Sequence, residues 1–237
     1  MLQWFLFFWF VGLVFWRLVF VLPLAGRSCR GYGVIFVLYL AAVVKLTSVM
    51  AVAAFEPGNH ILLSTRNGLV KKTDLMAFSR PRLGGIIAIT LLTGDELIEA
   101  RLTDGTYNVF LVSAMGKSIR FHEAEVRPSG RTSQGVRGMR LTKGDCIVGM
   151  AVLSHGQTLF TLTENGYGKR TSVDEYPIQK RGGKGVITIK TSERNGKVVA
   201  LLLVEEDDNV MLMTDAGKLI RIPVNGVSVI SLSLIHI

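Results

Sequence analysis

Three glycines, Gly85, Gly135 and Gly185, stand 50 residues apart, and the same succession of segments surrounds each one. Upstream lies a pair of β-rich runs around a turn. These are Ile61 to Ser64 and Leu69 to Thr73 around Asn67-Gly68, then Val109 to Ser113 with Met115-Gly116, Thr158 to Thr163 with Asn165-Gly166, and Val210 to Thr214 with Ala216-Gly217. Asn-Gly between such runs is a strong hairpin signal, because both central positions of the favoured turn need φ > 0. Each glycine then precedes an apolar run: Ile86 to Ile89, Val136 to Leu141, Val186 to Ile189. A last run follows at Leu97 to Leu102, Ile147 to Leu153 and Val198 to Val204, introduced by Gly94-Asp95, Gly144-Asp145 and Gly196. About four short strands per roughly 50 residues is the period of propeller-like arrays, in which small antiparallel sheets pack on their neighbours. No segment holds a 3.6-residue period for three turns, which disfavours helical solenoids. The expected fold is all-β, with three full repeats and a partial fourth that begins at Val210.

One charge keeps register with the repeat. The fourth residue after each turn glycine is basic: Lys72, Arg120, Arg170 and Arg221. Lys117 and Lys218 add a cation directly after the glycine, and Lys71 and Lys169 add one just before the fourth position. Cations on outer strands can serve only to discourage edge pairing. Their recurrence in four repeats instead predicts a track along one rim, the footprint of a phosphate-binding surface. The glycine segments reinforce it with Arg80 and Arg82, then with Arg127, Arg131, Arg137 and Arg140. In the third repeat the segment is Gln179-Lys180-Arg181-Gly182-Gly183-Lys184-Gly185, three cations and three glycines in seven residues. Glycine lets the main chain approach a ligand closely, exposed N–H groups form an anion-binding concavity, and the cations pair with phosphate.

Charge and hydropathy split the chain. Residues 1–54 hold Arg17, Arg27, Arg30 and Lys45 and no acidic residue; the remainder carries 23 basic against 18 acidic residues, a net of +5. That excess is modest, so binding depends on arrangement more than on bulk charge. Trp4 to Leu24 and Val34 to Ala54 are each long and apolar enough to cross a bilayer. They show none of the repeat, so residues 1–54 are expected to be either a membrane anchor or a stretch foreign to the domain. A signal peptide fits less well, since no cation precedes the first run. The tail from Ser231 to Ile237 also breaks the pattern, which places the repeat domain at residues 55–230.

Catalytic signals are missing. Gly116-Lys117-Ser118 looks like the end of a P-loop, but position 111 is Leu and a strand follows, so a hairpin turn is the better reading. His60, His122, His155 and His236 are scattered, Cys29 and Cys146 lack metal spacing, and Glu205 to Asp208 reads as a solvated turn. No nucleophile stands beside a base. No cofactor and no metal are expected, and the two separated cysteines fit a reducing compartment.

The residues resemble a known family. Arg66-Asn67-Gly68-Leu69-Val70-Lys71-Lys72-Thr73, Phe78 to Arg82 before Gly84-Gly85-Ile86, and Val126-Arg127-Pro128 with Gly130-Arg131-Thr132 are similar to the C-terminal domain of the DNA gyrase A subunit. So are Gly135-Val136-Arg137-Gly138 and Glu164 to Thr171. The heptad fits the gyrase A box pattern, with Lys180 where arginine is commoner. The resemblance covers roughly residues 55–230. It implies a β-pinwheel whose basic rim binds and wraps duplex DNA, within a type II topoisomerase that supercoils DNA with ATP hydrolysed by its B subunit. Partners would be duplex DNA, the rest of the A subunit and the B subunit, in the bacterial cytoplasm. The family's cleavage tyrosine belongs to another domain, and none of Tyr32, Tyr39, Tyr107, Tyr167 or Tyr176 matches its context. The chain is therefore expected to bind DNA without cutting it.

Some points stay open in the sequence. The box normally lies in the first blade of six, whereas this heptad follows two repeats, so it is either the defining copy or a later box-like repeat. The topoisomerase IV A subunit has the same blades with a degraded box, and the intact heptad favours gyrase. A membrane-tethered propeller that binds proteins is the competing reading.

Overall fold

A computed structural model describes residues 34–35 (main chain only), 47–82, 84–153 and 156–233, all within the second of the two units into which the chain divides, Tyr32–Ile237. Glycine-punctuated β-rich segments form strands here, successive side chains pointing to opposite faces, and in the first three repeats the inner hairpins are buried on both.

A short pair comes first, β1 (Val34–Ile35) with β2 (Ala51–Val52), antiparallel and in register Val34↔Val52. The two ends of the second apolar stretch therefore fold back on one another and do not lie at opposite ends of a straight span. Among the described residues no helix is long and apolar enough to cross a membrane. The first stretch, Trp4 to Leu24, lies outside the described residues.

The repeats follow. The first has β3 (His60–Thr65), β4 (Leu69–Asp74) and β5 (Leu97–Thr103). The second has β6 (Asn108–Ser113), β7 (Lys117–His122), β8 (Val136–Arg137) and β9 (Ile147–Leu153). The third has β10 (Thr158–Thr163), β11 (Gly168–Ser172), β12 (Val186–Ile187) and β13 (Val198–Val204). The fourth has β14 (Asn209–Met213) and β15 (Leu219–Pro223). A 3-10 turn ends every hairpin, at Leu75–Phe78, Glu123–Glu125, Val173–Glu175 and Val224–Gly226. The hairpin turns close alike, with the Gly68, Gly116 and Gly166 N–H groups donating to the carbonyls of Thr65, Ser113 and Thr163, each at 3.0 Å.

The sheets do not coincide with the sequence repeats. Their orders are β5-β3-β4-β8, β12-β7-β6-β9 and β11-β10-β13. Strand β8, from the second repeat, completes the sheet of the first, and β12, from the third, completes the sheet of the second. The runs after Gly135 and Gly185 were expected to belong to their own repeats; only two residues of each are strand, and they belong to the preceding sheet. Ile86 to Ile89 forms no strand.

The core lies between repeats. Leu62 and Val70 of the first pack with Val109, Leu111, Ile119, Phe121 and Met150 of the second. From the other face of the same strands, Phe110 and Val112 pack with Leu159, Val173 and Tyr176 of the third. Phe110 and Tyr176 meet edge to face, with centroids 4.8 Å apart and planes at 78°. Phe160, Val204, Val210 and Val224 join the third repeat to the fourth. Burial of the Tyr176 side chain also pushes its phenol up to about 12.

Candidate nucleic-acid interface

The recurring cations lie on the second strand of each hairpin, and in the first three repeats both faces of that strand are covered, which corrects the expected surface track. Lys72, Arg120 and Arg170 are buried, at 5, 6 and 3% exposure. Each reaches into the 3-10 turn of the next repeat. Lys72 Nζ donates to the Glu123 carbonyl (3.0 Å), and the Glu123 carboxylate lies 4.0 Å away. Arg120 Nη1 donates to the carbonyls of Val173 (2.9 Å) and Tyr176 (3.2 Å). Arg170 Nη1 donates to those of Val224 (3.2 Å) and Val227 (3.3 Å), its Nε to Thr158 Oγ1 (3.0 Å), and its Nη2 pairs with Glu206. A buried cation persists only when hydrogen-bonded or paired, and the carbonyls at the start and just past the end of these turns supply that. Arg221 alone of the four is exposed, donating to Asn209 Oδ1 at 3.1 Å within its own hairpin.

The cations one position earlier are buried too, on the opposite face. Lys71 Nζ donates to the carbonyls of Ala88 (2.8 Å), Ser133 (3.0 Å) and Arg131, and burial lowers its pKa to about 8. Lys169 Nζ donates to Thr188 O (3.4 Å), with its pKa lowered by burial against a smaller upward pull from Glu175. Lys71 thus holds from beneath the segment of the second repeat that corresponds to the heptad. Beneath the heptad itself the equivalent position is Ile119.

The heptad is threaded across the second repeat by its backbone. Gln179 N–H donates to Arg120 O (2.7 Å), Gly182 N–H to Gly138 O (2.7 Å), and Arg140 N–H to Gly183 O (2.8 Å). Gly185, at φ +72°, crosses so close that a Cβ there would stand 2.2 Å from Ser118 O. A Cβ at Gly183 would stand 3.3 Å from the Ile119 side chain and from Lys180 O, and one at Gly182 would have only Arg137 O nearby, at 3.6 Å. Arg181 is likewise tied inward, its N–H to Glu125 Oε2 (2.8 Å), Nε to Glu125 O (3.2 Å) and Nη1 to Arg137 O (2.6 Å). Lys180 and Lys184 are the heptad's exposed cations.

Beside them the second repeat exposes Arg127, Arg137 and Arg140, with Arg131 half-buried. Arg80, Arg82 and Arg131 line one open cleft with Ser79 and Met76. The structure therefore divides the expected site in two. Lys180, Lys184, Arg80, Arg82, Arg131, Arg137 and Arg221 present charge outward, while Lys72, Arg120, Arg170 and much of Arg181 hold repeats together. Sequence reasoning missed Glu123 and Glu125, the carboxylates that receive Lys72 and Arg181. It also missed Asp95 and Asp145, whose Oδ1 atoms accept from the hairpin turns at Asn67 N (2.9 Å) and Met115 N (3.0 Å). The Gly-Asp pairs that precede β5 and β9 were the available signal.

Comparison with known proteins agrees with the repeat boundaries. A family profile, DNA gyrase C-terminal domain, beta-propeller, matches residues 59–104, 107–154, 157–205 and 208–231. The DNA gyrase A subunit of Salmonella typhimurium is 45% identical over 219 residues, 92% of this chain and 25% of the relative. That of Pseudomonas aeruginosa is 48% identical over 174 residues, 73% and 19%. The chain spans about a quarter of the length of such relatives, and a match over 92% of it reaches into residues 1–54. Among solved structures, the C-terminal domain of DNA topoisomerase IV superimposes with TM-score 0.74 at 28% identity, over 78% of this chain and 58% of that one. The DNA gyrase A C-terminal domain does so with 0.71 at 28%, over 79% and 63%.

Proposed function

This chain belongs to the DNA gyrase C-terminal domain, beta-propeller family, and from that premise we propose that residues 55–230 bind and wrap duplex DNA for a type II topoisomerase of the gyrase kind. The observation that carries the reading is the junction of two basic segments. Hydrogen bonds from Gly182 to Gly138 and from Arg140 to Gly183 lay the heptad alongside the Val136–Arg140 stretch, so Arg137 and Arg140 continue into Lys180 and Lys184 as one surface. Such a surface neutralises phosphates without reading bases, so it grips any sequence and follows a bent duplex.

The chain supplies binding, and strand cleavage and ATP hydrolysis fall to other parts of the enzyme. Its partners are duplex DNA, the rest of a gyrase A subunit and a gyrase B subunit, in the cytoplasm. The relatives named as gyrase A subunits and the complete heptad support gyrase over topoisomerase IV.

Replacing Lys180 and Lys184 together by Ala should weaken binding to mixed-sequence duplex and reduce the slope of log K against log salt by about 2, one for each lost phosphate contact. Replacing the exposed Lys143 and Lys197 is the control. Equal losses in the two double variants, measured by a salt titration of affinity, would remove the heptad from the interface.

A further inference from the structure

The cations at the junctions are buried, yet they are wired to the surface assigned above to DNA. Resting on that assignment, we propose that Arg120 is a positioning residue that fixes the angle at which the heptad is presented, with Lys72 and Arg170 acting alike at the flanking junctions.

Arg120 is held by the third repeat at both ends. Its guanidinium donates to Val173 O (2.9 Å) and Tyr176 O (3.2 Å), and its own carbonyl accepts from Gln179 N–H (2.7 Å), the first residue of the heptad. A parallel bridge sets Arg120 beside Ile178. One residue thus spans the 3-10 turn that enters this segment and the main chain that leaves it. The two-ended grip recurs. The Lys72 carbonyl accepts from Ser129 N–H (2.9 Å) and the Arg170 carbonyl from Ile230 N–H (2.8 Å), with parallel bridges to Pro128 and Val229.

The chemistry at the junctions is matched. Where the cation is lysine, the receiving turn begins with Glu123, a carboxylate that is fully buried. Where it is arginine, the turn begins with Val173 or Val224, and the guanidinium takes two main-chain carbonyls, with Glu206 from outside the turn added at Arg170. An ammonium is a point charge and a guanidinium a rigid fork, so neither replaces the other without loss of direction. Lysine in place of Arg120 keeps the charge, meets no carboxylate, and cannot hold both Val173 O and Tyr176 O. A charge that merely filled the site would not need such matching.

The test uses the 237-residue chain with Cys29 and Cys146 changed to Ser and spin labels at K143C and E193C, in the second and third repeats. In Arg120→Lys the width of the label–label distance distribution should at least double. The linking-number change trapped on a closed DNA circle per bound chain should fall by half or more, while affinity for a short duplex of about 12 base pairs changes less than twofold. Lys184→Ala should do the reverse, leaving the width unchanged and weakening the short duplex. An Arg120→Lys protein that keeps both the width and the linking-number change of the parent overturns the proposal. So does one that weakens the short duplex as Lys184→Ala does at unchanged width, because Arg120 would then be a DNA contact. Should the labelled parent bind no DNA, the proposed function fails, and the distance widths still decide whether Arg120 positions the heptad. If Arg120→Lys does not fold, Arg170→Lys with labels at E193C and K218C asks the same question at the last junction: a doubled width supports positioning and an unchanged one overturns it.

Discussion

Lys71 and Lys72 are adjacent in the chain and point to opposite faces of β4, as successive strand residues must. On a strand with one wet face, one of them would be solvated. Here both faces are covered, and the two ammonium groups end among main-chain carbonyls of different segments. The sequence shows that these positions are basic, but at a single alternating position it cannot distinguish water from a neighbour's carbonyl oxygen. The burial of Lys71 has a pH consequence. Its pKa falls from 10.5 to about 8 in the folded chain. Below pH 8 both folded and unfolded chains carry the proton, and the cost of burying it is fully present. Between 8 and 10.5 the folded chain has released a proton that the unfolded chain still binds, so stability contributed at this site rises with pH. Urea unfolding of the parent and of Lys71→Met across pH 7 to 10.5 should show the parent gaining relative to the variant as pH rises. A difference that stays flat or shrinks contradicts the assignment.

At the scale of elements, the hairpins were legible nearly to the residue, because turn glycines and β-branched runs specify them locally. Strands β9, β10 and β13 coincide with the runs read from sequence. The 3-10 turns were not seen, being three or four residues long and without a strong signature. The ownership of β8 and β12 was not legible either, since two residues of strand carry no information about which sheet receives them. That exchange distinguishes turn glycines that look alike. Gly116 and Gly166 both have positive φ, +77° and +81°. Over Gly116 passes the segment after β12, with Thr188 N–H donating to Gly116 O (2.9 Å), and an added Cβ would sit 2.1 Å from Ile189 O. Nothing stands within 4 Å of a Cβ at Gly166. Gly166→Ala should cost about 1–2 kcal/mol, the left-handed penalty alone, and Gly116→Ala at least about 2 kcal/mol more for displacing backbone. Denaturant titration of the two variants measures the gap; equal losses would mean that the exchanged segment yields freely.

At the scale of the molecule, each repeat is stabilised by what flanks it, so stability is a sum along a line of junctions. The repeat period, and with it the fold class, was the most legible property, because it is written four times. The candidate site was half legible: the basic positions could be read, but which of them face solvent, as Lys180 and Lys184 do, and which are buried, as Lys72 and Arg120 are, could not, because exposed and buried cations share one sequence pattern. The last repeat tests the linear view. Among the described residues its sheet is the hairpin β14–β15 alone, and Met211, Met213 and Ile220 are 61, 72 and 53% exposed. Amides in β14 and β15 should exchange with solvent at least about a hundredfold faster than those in β6, which is paired along both sides. Comparable protection, read by hydrogen exchange, would show that the hairpin is stable without a covering neighbour. The exchange of strands carries a last consequence, for ancestry. The second and third repeats each lend a strand to the sheet before them, and the first two sheets are completed in that way. A window of one period can then be duplicated or lost wherever the cut falls, and the vacated edge is filled by the next strand in line. Such a chain can change its number of links while every joint keeps its design, and its length can evolve in steps of one repeat.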